Sequence, residues 1–572
     1  MIRFKNRFTA GILAVVLVAC ISSFAFSQVV LTPCEESGFQ QYTSYEEMLD
    51  YLQKIQATTT EMLLGTFGKS IEGREQPYAV FSRPLITQPW EALASGKTIV
   101  VLAANVHGGE RTLRESNLIL IRELATKGSD MNWMLDDLVV IMVPSINPDG
   151  FVRRSRGNSL GIDMNRDYMK LEQPALRNFV QNILLTWHPH VTVDGHNGGS
   201  FPYNICYQAN SHASPDQRIT ILADQEIFPF IDRKMEAQGY KSWYYSGGDS
   251  TSWRGGGFDP RISRNYAAFI NCVGILFESP GQDMEPGIKS GAVAYKAVVQ
   301  YAYQNAERLK MVVDRARRET IEMGQNATGD IPIQVRYVPE DYKVSYEIGI
   351  TVGGTRDPET GRRTGGTRET VKITGADLVK KPEIIKTRPR PYAYVLEARA
   401  WKAVELLKQH KIMVEVLQED TEIDIEAYNM TNIEFGPEYD HPASVTVTFA
   451  DETVKETRTF TKGTYIIRTG QVMGRVAAHL LEPETNDNVV KWNTMDALLP
   501  SAGRGREAGA FTRATRDTTA VPVQMRARAA RMDTTAVQVP VQVRQQQQSR
   551  PNIFPIFKIM TPTKLPTTML KY

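Results

Sequence analysis

An α/β domain built on a mainly parallel sheet, followed by a smaller α+β unit, is the fold that the sequence predicts, on three observations. Over residues 42–320, apolar runs of strand length alternate with stretches of helical period. Beyond residue 331 the pattern changes to closely spaced strand-like segments with only two helical stretches among them. The chain also has 572 residues, too many for one core, because cores stop growing at roughly 250 to 300 residues.

The elements follow in order. Arg3, Lys5 and Arg7 precede an apolar run over 10–19 and small residues up to Ser27, the pattern of an export signal over residues 1–27. The run is shorter than the roughly 20 apolar residues of a spanning helix, so no stable membrane span is expected and the destination is periplasmic or extracellular. A competing reading takes Leu17-Val18-Ala19-Cys20 as a lipoprotein box, which would leave a lipid anchor at Cys20 and a membrane-anchored protein. The first domain, 36–320, carries buried-strand runs at 98–103, 138–143, 190–194 and 273–277, a helix over 113–124 and one long closing helix over 292–313. The glycine-rich segment from Trp253 to Gly257 reads as an exposed loop at the mouth of a cleft. In the second unit, 331–500, strands are expected at 392–396, 412–417, 445–449, 457–460 and 464–467, with helices over 400–409 and 472–481. Residues 501–551 turn to Arg, Gln, Thr and Ala, the composition of a disordered linker, and 552–572 opens on an apolar stretch able to pack back on the body.

Composition narrows the function by exclusion. Sixty-six Lys+Arg against 64 Asp+Glu leave a net charge of +2, which gives no electrostatic ground for nucleic acid as a partner. Of the 4 cysteines, Cys34, Cys206 and Cys272 lie beyond the export segment and far apart, which suits neither a dense disulfide framework nor a cysteine zinc cluster.

The chemistry must therefore come from a site. The strand at 98–103 runs into Asn105-Val106-His107-Gly108-Gly109-Glu110, an imidazole and a carboxylate three residues apart on a glycine-permitted turn. Such a pair alone is common. A second histidine, His196, follows the strand at 190–194 and is again flanked by glycines. Two nitrogens, one carboxylate and an open position make a catalytic zinc set. Between these segments lie Asn147-Pro148-Asp149-Gly150, Arg156 and Gly161-Ile162-Asp163-Met164-Asn165-Arg166; after them comes Glu278, at the end of an apolar strand.

That order of motifs resembles the zinc carboxypeptidase A family over about half the chain, and implies a mixed, mainly parallel sheet flanked by helices. By that resemblance, one Zn2+ per catalytic domain is held by His107, Glu110 and His196, and Asp163 orients His107. Glu278 is implied as general base, Arg156 as the stabiliser of the oxyanion, and Asn165 with Arg166 as the clamp on the carboxylate of a peptide or protein C-terminus. The mobile tyrosine of the family is assigned to Tyr244 or Tyr245 in preference to Tyr266, because Ser246-Gly247-Gly248 follows the pair. Gly109 stands where the digestive members have arginine. Two rival functions remain at this stage: a zinc amidase or deacylase acting on peptidoglycan peptides or N-acyl amino acids, and an inactive exported binding protein. The remaining histidines fall outside metal spacing, although His441 can mark a binding surface.

Overall fold

In this computed structural model the described residues are 29–356, 363–364, 366–500 and 552–571; the export segment and the linker expected from composition lie outside them. The first region is built on an eight-stranded mixed sheet. Its strands are β1 (Met62–Lys69), β2 (Glu75–Phe81), β3 (Thr98–Ala104), β4 (Leu138–Val143), β5 (Val191–His196), β6 (Ile205–Gln208) and β7 (Ser242–Tyr244), with β8 (Ser246–Gly248) and β9 (Ser252–Gly255) outside it and β10 (Val273–Glu278) at its centre. The order across the sheet is β1-β2-β4-β3-β5-β10-β6-β7. β4, β3, β5 and β10 run parallel, while β1, β2 and β6 enter antiparallel to a neighbour. Every residue of the four central strands is buried, which explains their unbroken apolar runs: both faces of the sheet are covered.

The closing element differs from its expected form. It is two helices, Met284–Gln304 and Ala306–Gln325, broken at Asn305, whose backbone leaves the helical region (φ −124°, ψ 31°) while its side-chain amide donates to Tyr301 O at 3.1 Å. The first of them packs on helix Thr112–Ala125, and from it Tyr295 Oη reaches the sheet to donate to Ala103 O at 3.0 Å.

The second region opens with a feature that periodicity did not announce, a hairpin of two 23-residue strands, Asp330–Val352 and Thr367–Pro389. Much of it is wet on both faces, so its sequence lacks a clean alternation. Its second strand pairs with β9, Leu378 opposite Trp253. The segment expected as an exposed loop is therefore largely a strand, and Trp253 is fully buried against Tyr346 and Tyr203. Beyond the hairpin a further sheet forms in which Ile553–Ile559 lies between Ala393–Leu396 and Thr421–Glu438, antiparallel to both. One apolar cluster runs from Val101 and Ile141 through Tyr266 and Phe269 to Tyr394 and Val476, so the two regions share a core. Among the described residues no helix is long and apolar enough to cross a membrane.

Candidate metal centre

The parallel strands deliver the site at their carboxyl ends, where an open α/β sheet leaves a crevice. Just past β3, Asn105 takes a left-handed conformation (φ 62°), and its amide donates to the carbonyls of His107, Gly108 and Glu110 at 3.0, 3.0 and 2.8 Å. One asparagine thus fixes the whole turn. Gly108 is required there, because a Cβ would sit 1.9 Å from the carbonyl carbon of Gly150. The Asn147-Pro148-Asp149-Gly150 motif supplies that neighbour: Asn147 caps helix Pro148–Arg153 and donates to Val106 O at 3.1 Å.

Three donors converge on the crevice. His107 Nδ1 lies 2.9 Å from Glu110 Oε1, His196 Nδ1 2.8 Å from Glu110 Oε2, and the two Nδ1 atoms are 3.1 Å apart. Each ring turns its other nitrogen to a buried carboxylate, His107 Nε2 to Asp163 Oδ1 at 2.9 Å and His196 Nε2 to Asp194 Oδ2 at 3.0 Å. With the Nε2 protons committed to carboxylates, both Nδ1 lone pairs face inward beside Glu110, and the residues present fit a zinc ion. Asp194 was not singled out from the sequence. Its signal was available, since residues i and i+2 of a strand share a face and Asp194 stands two before His196 on β5.

The charges agree with this arrangement. Burial alone would raise Glu110, but His196 and His107 hold it well below the usual carboxylate range; Asp163, likewise buried, is held down by His107 and Arg156.

The family profile described as zinc carboxypeptidase matches residues 48–183. Carboxypeptidase 2 of Trichophyton rubrum is 26% identical over 487 residues, 79% of this chain and 84% of that protein. Carboxypeptidase 2 of Trichophyton equinum is 26% identical over 457 residues, 75% and 79% of the two chains. By these matches the chain resembles the zinc carboxypeptidase A-type family, and they support a hydrolase of the exopeptidase class. Among solved structures, a metallo-carboxypeptidase from Burkholderia cenocepacia is 20% identical with a TM-score of 0.37 over 46% of this chain and 70% of that one. The carboxypeptidase A from Helicoverpa armigera gives 18% and 0.35 over 48% and 73%.

The other residues singled out by the family's motifs are distributed unevenly around the centre. Glu278 ends β10 directly opposite His196 on β5, and burial pushes its carboxyl up to about 7, with Glu110 and Asp194 adding to the rise and His196 and His107 opposing it. Gly198 makes room for it, since a Cβ there would lie 2.5 Å from Glu278 Oε2. Arg156 bonds through Nε and Nη2 to Asp163 Oδ2 at 3.1 and 2.9 Å and turns Nη1 toward Glu110 at 3.5 Å. Asn165 is spent inside the protein: its Oδ1 accepts from Ser263 N–H at 3.0 Å and its Nδ2 lies 3.3 Å from His196 Nε2. Arg166 is partly exposed, with Nη1 donating to Asn165 O at 2.8 Å.

The two tyrosines part company. Tyr244 belongs to the core, packed on Tyr207 and Phe228 with Lys380 Nζ 5.0 Å from its ring centroid, so it is not placed to close over a substrate. Tyr245, the next residue and just beyond β7, is half-buried and feels the charges of Glu278 and Arg264. Tyr266 is fully buried and donates to, or accepts from, His410 Nδ1 at 2.8 Å. Arg264, not singled out from the sequence, is buried with Nε donating to Ala209 O at 3.1 Å.

Proposed function

We propose that this chain is a zinc-dependent metallocarboxypeptidase that removes the C-terminal residue of peptides or proteins, exported as its N-terminal segment suggests. The observation that carries the reading is the convergence of His107 Nδ1, His196 Nδ1 and Glu110, with each imidazole backed by its own aspartate. When bound, a zinc ion supplies Lewis acidity to the scissile carbonyl and to the attacking water. Glu278 takes the proton of that water and passes it to the leaving amine, so one carboxylate serves as base and then as acid. Its burial suits the task, because a carboxyl that is costly to charge returns a proton readily. Arg156 donates toward the oxygen on which negative charge develops, a role for which Nη1 is the least committed of its nitrogens. Arg166 pairs with the terminal carboxylate of the substrate, which makes the cleavage terminal. Asn165 holds Arg166 through its backbone carbonyl and, in this reading, contributes to the clamp by placement.

The test compares matched peptides with a free and an amidated C-terminus, alongside the zinc content of the purified protein and of His196→Ala. The free peptide is expected to be trimmed faster by about two decades or more in kcat/KM, and the variant to lose its zinc. Equal cleavage of both peptides would leave a zinc amidase or endopeptidase in place of the carboxypeptidase.

A further inference from the structure

The turn Glu438-Tyr439-Asp440-His441, which joins strands Thr421–Glu438 and His441–Phe449 of the second region, reaches the metal centre of the first. Asp440 Oδ2 accepts from the backbone N–H of Asp163 at 2.7 Å across a separation of 277 positions. The turn therefore touches the very residue that orients His107. Both flanks are pinned as well: Glu438 lies 3.3 Å from Arg261 Nη1 and 2.7 Å from Lys491 Nζ, and His441 Nε2 lies 3.2 Å from Glu172 Oε1 with its ring 5.2 Å from that of Trp492. Asp440 adopts φ 54°, a left-handed conformation that aspartate tolerates better than most residues. Between these anchors the side chain of Tyr439 is left 56% exposed, one position before the Asp440 that bonds to Asp163.

We infer that this turn is the outer rim of the site and that Tyr439 is a specificity-determining contact for the substrate chain upstream of the scissile bond. The inference rests on the carboxypeptidase reading above, in which the terminal carboxylate is bound inside at Arg166. Only the upstream part of a peptide then passes the rim. A large aromatic ring left uncovered on a turn that bonds to Asp163 offers that segment a π-face and an apolar edge, so the class of substrate it favours is an extended peptide with apolar side chains before the cleaved pair. A rigid mounting makes such a contact effective, because little side-chain or loop order remains to be lost on binding. The second region would thereby govern which chains the first can trim.

The experiment measures kcat and KM for the parent, Tyr439→Ala and Tyr439→Phe on two N-acylated substrates with the same C-terminal residue pair, a dipeptide and a leucine-rich hexapeptide. Tyr439→Ala is expected to lose about fivefold in kcat/KM on the hexapeptide, mainly through KM, and to stay within about twofold on the dipeptide, while Tyr439→Phe keeps the parent's preference. An equal loss on both substrates would reveal a merely structural role and overturn the inference, as would an unchanged ratio of the two. Those outcomes leave the carboxypeptidase reading standing. A parent enzyme that trims neither substrate would instead overturn that reading, and the rim contact with it.

Discussion

His107 and His196 lie with ring centroids 4.8 Å apart at the carboxyl ends of the sheet, and His212 and His479 lie 5.5 Å apart where helix Gly474–Leu481 of the second region packs on the first. All four side chains are at most 3% exposed, so burial does not separate them. Their partners do. Burial alone would lower His196, yet Asp194 and Glu110 carry it well above the ordinary histidine value. His212 and His479 have no such carboxylate partner among the described residues; burial pushes His212 down to about 3 and His479 well below its usual value. The carboxylates around His196 favour positive charge there, and the second pair is built to stay neutral. One residue type therefore lines the candidate metal centre in one place and an apolar seam in the other.

The sharpest way to break this contrast is at the carboxylate facing the first pair. Glu278→Gln keeps the shape of the side chain but removes its ability to take a proton, and is expected to cost a hundredfold or more in kcat, roughly the share of a general base, with zinc content unchanged. Turnover within about tenfold of the parent would transfer the role to another group. Next in size comes Asp194→Asn, which keeps a side chain of the same length behind His196 but weakens the acceptor. Zinc affinity, followed by competition with a chelator, is expected to fall by about 10 to 100-fold. Unchanged affinity would make Asp194 a packing residue only. A smaller effect separates the adjacent tyrosines: Tyr245→Phe is expected to lower kcat/KM by a few fold, a typical scale for one hydroxyl contact, while Tyr244→Phe leaves kinetics alone and lowers the urea midpoint. The reverse pattern would return Tyr244 to the site.

These particulars also explain what the sequence could disclose. The grouping of His107, Glu110 and His196 was legible because the two histidines sit in short motifs whose glycines answer a local need, as Gly108 answers the approach of Gly150. The central strands were legible because burial on both faces leaves an uninterrupted apolar run. The long hairpin was not, since solvent on both faces removes the alternation that marks a half-buried strand. Tyr244 and Tyr245 were indistinguishable until packing on Tyr207 and Phe228 placed Tyr244 in the core and left Tyr245 half-buried. The contact of Asp440 with Asp163 had no local signal at all, being formed between residues 277 positions apart.

The smallest effect falls on the second histidine pair and is read in stability. A histidine whose folded pKa is depressed binds fewer protons in the folded state than in the unfolded chain, so its contribution is fully present above the unfolded value near 6.5 and is lost as pH falls toward the folded value. For His212 that window runs from about 6.5 down to about 3, and His479 loses stability in the same direction. Each neutral buried imidazole then adds a slope of at most about 1.4 kcal/mol per pH unit within the window, the free energy of one proton per unit. His188, His190 and His410, lowered to about 4, 3 and 4, add to the acid sensitivity of the whole chain, so the pair is isolated by difference. Urea midpoints of the parent and of His479→Leu are compared at pH 7.5 and pH 5.0. The variant starts from a different stability because its packing differs, but its loss between the two pH values is expected to be smaller than the parent's, since one group no longer takes up a proton on unfolding. Equal losses would show that His479 is already protonated or accommodated in the fold, and the contrast between the two histidine pairs would then collapse to their geometry.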